Sequence, residues 1–507
     1  MTRVWNRVKD QLASNLIWWL LALTGVLLRL RQYAANRSLW ADEASLAYNL
    51  ANRSFVELTG LLDYHQAAPI GFLFIEKFFV VTLGNHDYVM RLFPLLSGIL
   101  ATVLVYRVAR EHFGWAGLLA LAMFAIGYFL VYYASELKQY SSDVMAAVLL
   151  VYLAGRCLRE EARGRDFSWL GAAGVFLIWV SHPSVFVLAG VGLALLLDTL
   201  TRKGRAPLSW LAGMGLAWLV SFGLEYLVSL RHIVADGYLI EYWRKAYMPI
   251  PPWSEPGWFV KIYTSFLYIS LHTHWAMSAI FLVLAPVGAL SLWARQRSLA
   301  LILTLPFLVT LAASALQKYP LMQRFILFLA PLALFLMAEG LGRIYQIVAK
   351  WNHALALVAC GLPVAVMFGL VAPLTFGSFL EPVKASDIKP VLAYLAENKQ
   401  PDDTVYVFHG ADPAFNYYAP FYGLEAGNNI IGFDTTRRKV ALKRFYEDVE
   451  SLRGTGRVWF LFSDIVDCGG CEGNMQAFYV DYLDQFGTML DSFGASGANA
   501  YLYDLRP

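Results

Sequence analysis

Residues 38–44, Ser38-Leu39-Trp40-Ala41-Asp42-Glu43-Ala44, follow closely on the apolar run NLIWWLLALTGVLLRLRQY at 15–33. That run is long enough to cross a hydrocarbon core of about 30 Å. The two adjacent acids therefore emerge at a membrane surface, beside apolar helices. Carboxylates in such a place have shifted pKa values and can serve as bases or metal ligands. Asp and Glu are also favoured in the first turn of any helix, where they face the positive end of its dipole. The pair alone leaves both readings open, and the rest of the chain decides between them.

The chain has 507 residues, of which 58% are hydrophobic and 15% charged. A soluble protein of this size carries nearly one quarter charged residues. The composition is that of a polytopic membrane protein with one additional soluble part. The net charge of +3 gives no basis for nucleic-acid binding. Sixteen Trp and 28 Tyr suit aromatic belts at both membrane interfaces. Four Cys are too few for a disulfide scaffold. The basic start and first apolar run have the look of a signal peptide. Arg29 and Arg31 end that run, however, with no small-residue cleavage site before them, so an uncleaved helix is expected.

Arg3, Arg7 and Lys9 precede the first run, which places the N-terminus in the cytoplasm and Asp42 outside. The segment 69–83 reaches only roughly 22 Å as a helix and carries Glu76-Lys77. It is expected to lie in the outer interface, inside a first outer loop of residues 35–90. With that choice the later crossings are 91–107, 115–133, 143–158, two flanking Ser181-His182-Pro183, and 208–230. The remaining ones are a run ending at Arg295, two flanking 317–324, and 353–374. About 11 transmembrane helices result. The basic clusters at Arg107 and Arg110, 159–165, 202–205, Arg295 and Arg297, and Arg343 then fall on the cytoplasmic side. Residues 1–375 form the membrane domain and 376–507 an extracytoplasmic α/β domain. In the latter, strands are expected at 404–408, 429–433, 457–462 and 499–503, with helices at 386–398 and 438–452. Cys468 and Cys471 would close a loop as a disulfide in an oxidising compartment. Cys157 and Cys360 read as core residues.

Cations on the outer side break the positive-inside pattern. Arg91, Lys138, Lys318 and Arg324 all stand at the ends of predicted crossings. Snorkelling to headgroups accounts for any one of them. Arg91 and Arg324 each open a crossing beside an outer loop, which suits phosphate binding. Two further constellations lie on that side, Asp63-Tyr64-His65-Gln66 and Tyr132-Tyr133-Ala134-Ser135-Glu136-Leu137-Lys138-Gln139-Tyr140. His65 can bind a substrate hydroxyl or cap a turn, and Glu136 and Tyr140 share a face if helical.

Taken in order, the outer Trp-x-Asp-Glu, His-Gln-Ala-Ala-Pro-Ile-Gly-Phe-Leu from His65, Tyr-x-x-Arg-Leu-Phe-Pro around Arg91, the Tyr132–Tyr140 turn and Lys-Tyr-Pro-x-x-x-Arg-Phe from Lys318 match a family. The chain resembles the GT-C superfamily of membrane glycosyltransferases, and within it family 39. The protein O-mannosyltransferases and lipid A aminoarabinose transferases belong there. The resemblance covers residues 15–375 and is strongest over 40–140.

It implies a polyprenyl-phosphate-linked sugar donor, a lipid, glycan or protein acceptor, and transfer on the extracytoplasmic face of the inner membrane, with inversion. It implies Asp42 as catalytic base with Glu43 beside it. Arg91 then lies near the donor phosphate; from the outer-side constellations themselves, His65, Gln66, Tyr133, Glu136, Lys138, Tyr140, Lys318 and Arg324 are the further candidates for the substrate site. A divalent metal near Asp42 and Glu43 is the one cofactor the residues leave open. The aminoarabinose transferases carry Glu-Lys before a Pro-Pro where this chain has Gln66-Ala67-Ala68-Pro69, so that charged pair is missing. A polyprenyl-glycan transporter or flippase is the competing expectation. It calls for internal repeats or broken midplane helices, and neither is visible.

Overall fold

A computed structural model describes residues 2–202, 208–271, 275–424, 429–432, 446–465 and 474–506. Cys468, Cys471 and the first half of the predicted 438–452 helix lie outside the described residues. Among those described, seven helical segments are long and apolar enough to cross a membrane: Leu92–Ile126, Ser184–Thr201, Leu208–Val234, Ser278–Arg295, Arg297–Ala315, Gln323–Ala349 and His353–Leu380. Leu92–Ile126 contains two predicted crossings, because the helix breaks at residues 114–116 and Gly117–Ile126 packs back on Leu92–Phe113. Three further predicted crossings correspond to the helices Thr2–Ala34, Tyr140–Cys157 and Gly164–Val180, the last two of 18 and 17 residues. Segment 69–83 is the helix Ile70–Leu83, of 14 residues.

Close packing between membrane helices rests on small residues. Gly288 on Trp275–Arg295 and Gly340 on Ala330–Ala349 face each other's helix. A Cβ on either would sit 1.9 Å from a carbonyl oxygen of the other helix, Leu336 or Leu284.

Arg91 and Arg110 lie near the two ends of Leu92–Phe113, about 29 Å apart at 1.5 Å per residue. Around Arg110 the predicted cytoplasmic cations gather: Arg159 donates to Glu111 and Arg295 to the His112 carbonyl. Around Arg91, at the other end, gather the Asp42 stretch and the C-terminal residues.

Among the described residues the C-terminal part is built on a five-stranded sheet: β1 (Thr404–Val407), β2 (Asn429–Ile431), β3 (Arg457–Ser463), β4 (Thr488–Ala495) and β5 (Ala498–Asp504). Its order is β2-β1-β3-β5-β4. The first three strands run parallel, while β5 pairs antiparallel with β3 and β4. Period-two alternation sends Val458, Phe460 and Phe462 to one face, against Tyr479 of the helix Met475–Leu483. Trp459 and Leu461 go to the other face, against the helices Ile388–Asn398 and Asp412–Tyr422. That second core continues into Leu39, Leu46, Leu50, Phe72 and Leu73 without interruption. The sheet and the first-loop helices thus share one apolar interior.

Strand β4 and the helices Asp412–Tyr422 and Met475–Leu483 have no counterpart in the sequence reading. β4 is an exposed edge strand with a bulge between Met489 and Asp491, so it lacks a regular alternation.

Candidate active site

Trp40 has extended backbone, and the helix Ala41–Asn52 begins after it. Asp42 and Glu43 occupy the first turn, where unpaired N–H groups favour negative charge. Successive helical positions point about 100° apart, so the two carboxylates meet different partners.

Glu43 turns inward and is fully buried. Arg91 grips it with two hydrogen bonds, Nε to Oε1 at 2.8 Å and Nη2 to Oε2 at 2.6 Å. The Leu137 amide donates to Oε1 at 2.8 Å, and Arg37 lies 3.8 Å away. Burial pushes this carboxyl up, but the Arg91 and Arg37 charges outweigh it and hold it low. Arg91 also donates to the carbonyls of Arg37 and Ser38, at 2.6 and 3.2 Å, and is only 2% exposed. Expected to face a donor phosphate, Arg91 is instead closed in by Glu43 and the backbone just before Trp40.

Asp42 remains partly open, with its side chain 18% exposed. Lys138 Nζ donates to Oδ1 at 2.8 Å, and Arg324 Nη2 lies 2.5 Å from Oδ2. Burial would raise this carboxyl, but the Arg324 and Lys138 charges hold it well below the usual range. Gln66 accepts a second hydrogen bond from Lys138 Nζ, at 2.5 Å. The Arg324 guanidinium lies over the rings of Trp40 and Tyr140, at 5.6 and 5.3 Å from their centroids. Tyr133 packs edge-on against Tyr140 at 5.2 Å.

Glu136 is fully buried in the same cluster, and neither carboxyl oxygen has a hydrogen-bond partner. Burial, with the Glu43 charge beside it, pushes its pKa up to about 7.

Asp42, Glu43, Gln66, Arg91, Tyr133, Glu136, Lys138, Tyr140 and Arg324 thus converge from five stretches of chain. His65 stands at the margin, where its Nδ1 pairs with Asp236 at 3.0 Å and its ring stacks on Tyr238. Lys318 is exposed in the turn before Arg324; its neighbour Tyr319 donates through its hydroxyl to the Phe325 carbonyl.

Sequence reasoning did not single out Arg37, Asp236, Tyr238 or Asp464. Asp464 follows β3, and its Oδ2 accepts from the Ala41 amide at 2.9 Å. No motif could have paired it with a residue near the other end of the chain. Among the described residues, no three His, Cys, Asp or Glu side chains are grouped to hold a metal ion. Asp42 and Glu43 are each engaged by cations, Asp42 by Lys138 and Arg324 and Glu43 by Arg91.

Residues 66–223 match the family described as dolichyl-phosphate-mannose-protein mannosyltransferase. No curated protein sequence matches the chain. Among solved structures, ArnT from Cupriavidus metallidurans bound to undecaprenyl phosphate is similar over 97% of this chain and 98% of that one. The identity is 13% and the TM-score 0.51. The archaeal oligosaccharyltransferase AglB from Archaeoglobus fulgidus, in complex with an inhibitory peptide and a dolichol-phosphate, is similar over 96% of this chain and 74% of its own. Its identity is 12% and its TM-score 0.51. The AglB structure with Zn and sulfate is similar over 95% and 72%, at 13% identity and a TM-score of 0.50. This chain thus shares its fold with these membrane glycosyltransferase structures over nearly its whole length, and its residues 66–223 match the mannosyltransferase family model.

Proposed function

We propose that the protein moves a monosaccharide from a polyprenyl-phosphate carrier to an acceptor hydroxyl at the extracytoplasmic membrane surface, with inversion. The observation that carries this reading is the partly open Asp42 carboxylate held between Lys138 and Arg324. One anion and two cations at a helix-bundle end suit a substrate that brings its own phosphate. The undecaprenyl phosphate and dolichol-phosphate in the similar structures support the donor class. The basic turns gathered at the far end of the bundle support the sidedness.

The chemistry follows from competition for the two cations. In the resting site Lys138 and Arg324 stabilise ionised Asp42, which makes it a weak base. An arriving phosphodiester takes up those cations, and Asp42 loses their stabilisation. At about 4 Å each such charge is worth a few kcal/mol near a protein surface, so the carboxylate becomes more basic once the donor is bound. The acceptor oxygen then attacks the anomeric carbon from the face opposite the phosphate. The carbon–oxygen bond to phosphate breaks and its electron pair leaves on the polyprenyl phosphate. Asp42 takes the hydroxyl proton. Lys138 and Arg324 stabilise the charge growing on the leaving group. Gln66 keeps Lys138 aimed, and the buried Glu43–Arg91 pair fixes the helix start beneath Asp42.

Asp42→Asn tests the base. Transfer from extracted polyprenyl-phosphate sugars should fall about 10²–10⁴-fold while the variant still binds undecaprenyl phosphate. A variant that transfers at the wild-type rate removes Asp42 from this role.

A further inference from the structure

We propose that Asp464 is a positioning residue for Asp42, so that the C-terminal segment completes the active site by capping the helix that carries the base. The inference rests on the reading of Asp42 given above. The helix Ala41–Asn52 needs partners for its first N–H groups, and Trp40, at its N-cap, offers no side-chain bond. Asp464 supplies one from the far end of the chain, accepting from the Ala41 N–H, one residue before Asp42.

The surroundings over-determine this contact. Asp464 has left-handed backbone, with φ of 49°, a conformation Asp tolerates and one that persists where packing enforces it. The Ser463 hydroxyl donates to the same Oδ2 at 3.3 Å and is bonded to Ser386 Oγ at 2.5 Å. Gly410 lies so close that a Cβ there would sit 2.7 Å from the Asp464 carbonyl oxygen. The residues just before Trp40 are held by the same segment. The Leu39 amide donates to the Tyr418 hydroxyl at 2.9 Å, and Ser38 Oγ donates to Asp387 at 2.6 Å. Tyr418 and Lys389 both bond Asp87, at 2.8 and 2.7 Å, four residues before Arg91. The stretch that begins the Asp42 helix is therefore gripped from residue 38 to residue 41 by side chains of the C-terminal part.

The full-length protein tests this through two independent cuts of one hydrogen bond. Asp464→Ala removes the acceptor. Ala41→Pro removes the donor, and proline suits the first helical position. Each should lower kcat about tenfold, measured as release of polyprenyl phosphate when a total extract of polyprenyl-phosphate-linked sugars is mixed with extracted envelope lipids, glycans and proteins as acceptors. The KM should stay within about twofold, because Lys138 and Arg324 are untouched. The double variant should be no slower than either single one. Asp464→Asn, which keeps an acceptor oxygen, should restore most of the rate.

Hydrogen exchange of the Ala41, Asp42 and Glu43 amides reads the cap without any substrate. Exchange should rise in Asp464→Ala and stay near wild type in Asp464→Asn. Unchanged exchange in folded Asp464→Ala, additive losses in the double variant, or equal losses in the Ala and Asn variants would each overturn the proposal. If Asp464→Ala does not fold, Ala41→Pro and Asp464→Asn carry the same decision. A wild-type protein that releases no polyprenyl phosphate overturns the transferase reading instead, and leaves the exchange measurement to judge the cap.

Discussion

Two neighbouring acids at residues 42 and 43 meet different partners: Glu43 is buried against Arg91, while the Asp42 side chain is 18% exposed and pairs with Lys138 and Arg324. Truncating Arg91 would leave Glu43 charged, buried and without its bidentate partner. Losing one member of such a pair typically costs about 3–5 kcal/mol. Arg91→Ala should therefore lower the Tm in detergent by several degrees and reduce activity mainly through lost folded protein. Arg324→Ala should raise the KM for the lipid donor at least tenfold, because it removes one of the two cations that hold Asp42.

Glu136 gives a pH prediction. Its carboxyl holds a proton in the folded protein up to about pH 7, against 4.5 when unfolded. Between those values the folded state binds more protons, so this group's contribution to stability is complete below pH 4.5. It is lost as pH rises toward 7. Glu136→Gln cannot ionise. Its Tm relative to wild type should climb across that window, by the equivalent of up to about 3 kcal/mol, and then level off. A flat difference from pH 4.5 to 8 would show that Glu136 is ionised throughout. The residue types of this cluster were legible in the sequence because their chemistry is unusual beside a membrane. The division of labour was not: which of Arg91, Lys138 and Arg324 faces Asp42 depends on side-chain direction, which spacing does not encode.

At the scale of elements, the long apolar helices and four of the five described strands announced themselves through the length of their apolar runs. The helix Asp412–Tyr422 did not, because DPAFNYYAPFY is rich in aromatics and proline. It forms because Pro413 fits its first turn and because Phe415, Tyr417, Tyr418 and Ala419 find a buried face. Tertiary packing overrides weak local propensity there. Two glycines make element-level predictions. Gly340→Leu would force Ala330–Ala349 away from Trp275–Arg295 and should abolish a cooperative thermal transition in detergent. Gly410→Ala would press on the Asp464 carbonyl, and should slow turnover more than it lowers Tm.

The whole molecule joins a membrane bundle to an α/β sheet through a common interior rather than a linker. Leu39, Leu46, Leu50 and Phe72 share one buried cluster with Val391, Leu395, Trp459 and Leu461, joined through the helix Asp412–Tyr422. Each such side chain is worth about 1.5–3 kcal/mol when kept from water. A chain ending at residue 375 would expose the first group, and should aggregate on extraction instead of running as a monodisperse species in size-exclusion chromatography. The sequence marked where the composition changes near residue 376, since charge rises there. Contacts between residues hundreds of positions apart leave no local trace, so the shared interior could be seen only in three dimensions.

The Ala41–Asp464 bond spans 423 positions of chain. At ribosomal speeds of about 5–20 residues per second, the capping acid is synthesised roughly 20–85 s after its partner. Throughout that interval the nascent protein sits in the bilayer with its reactive helix unfinished. If the proposed cap is needed for full turnover, a newborn chain would work at no more than about a tenth of its final rate until residue 464 has been made and has reached Ala41.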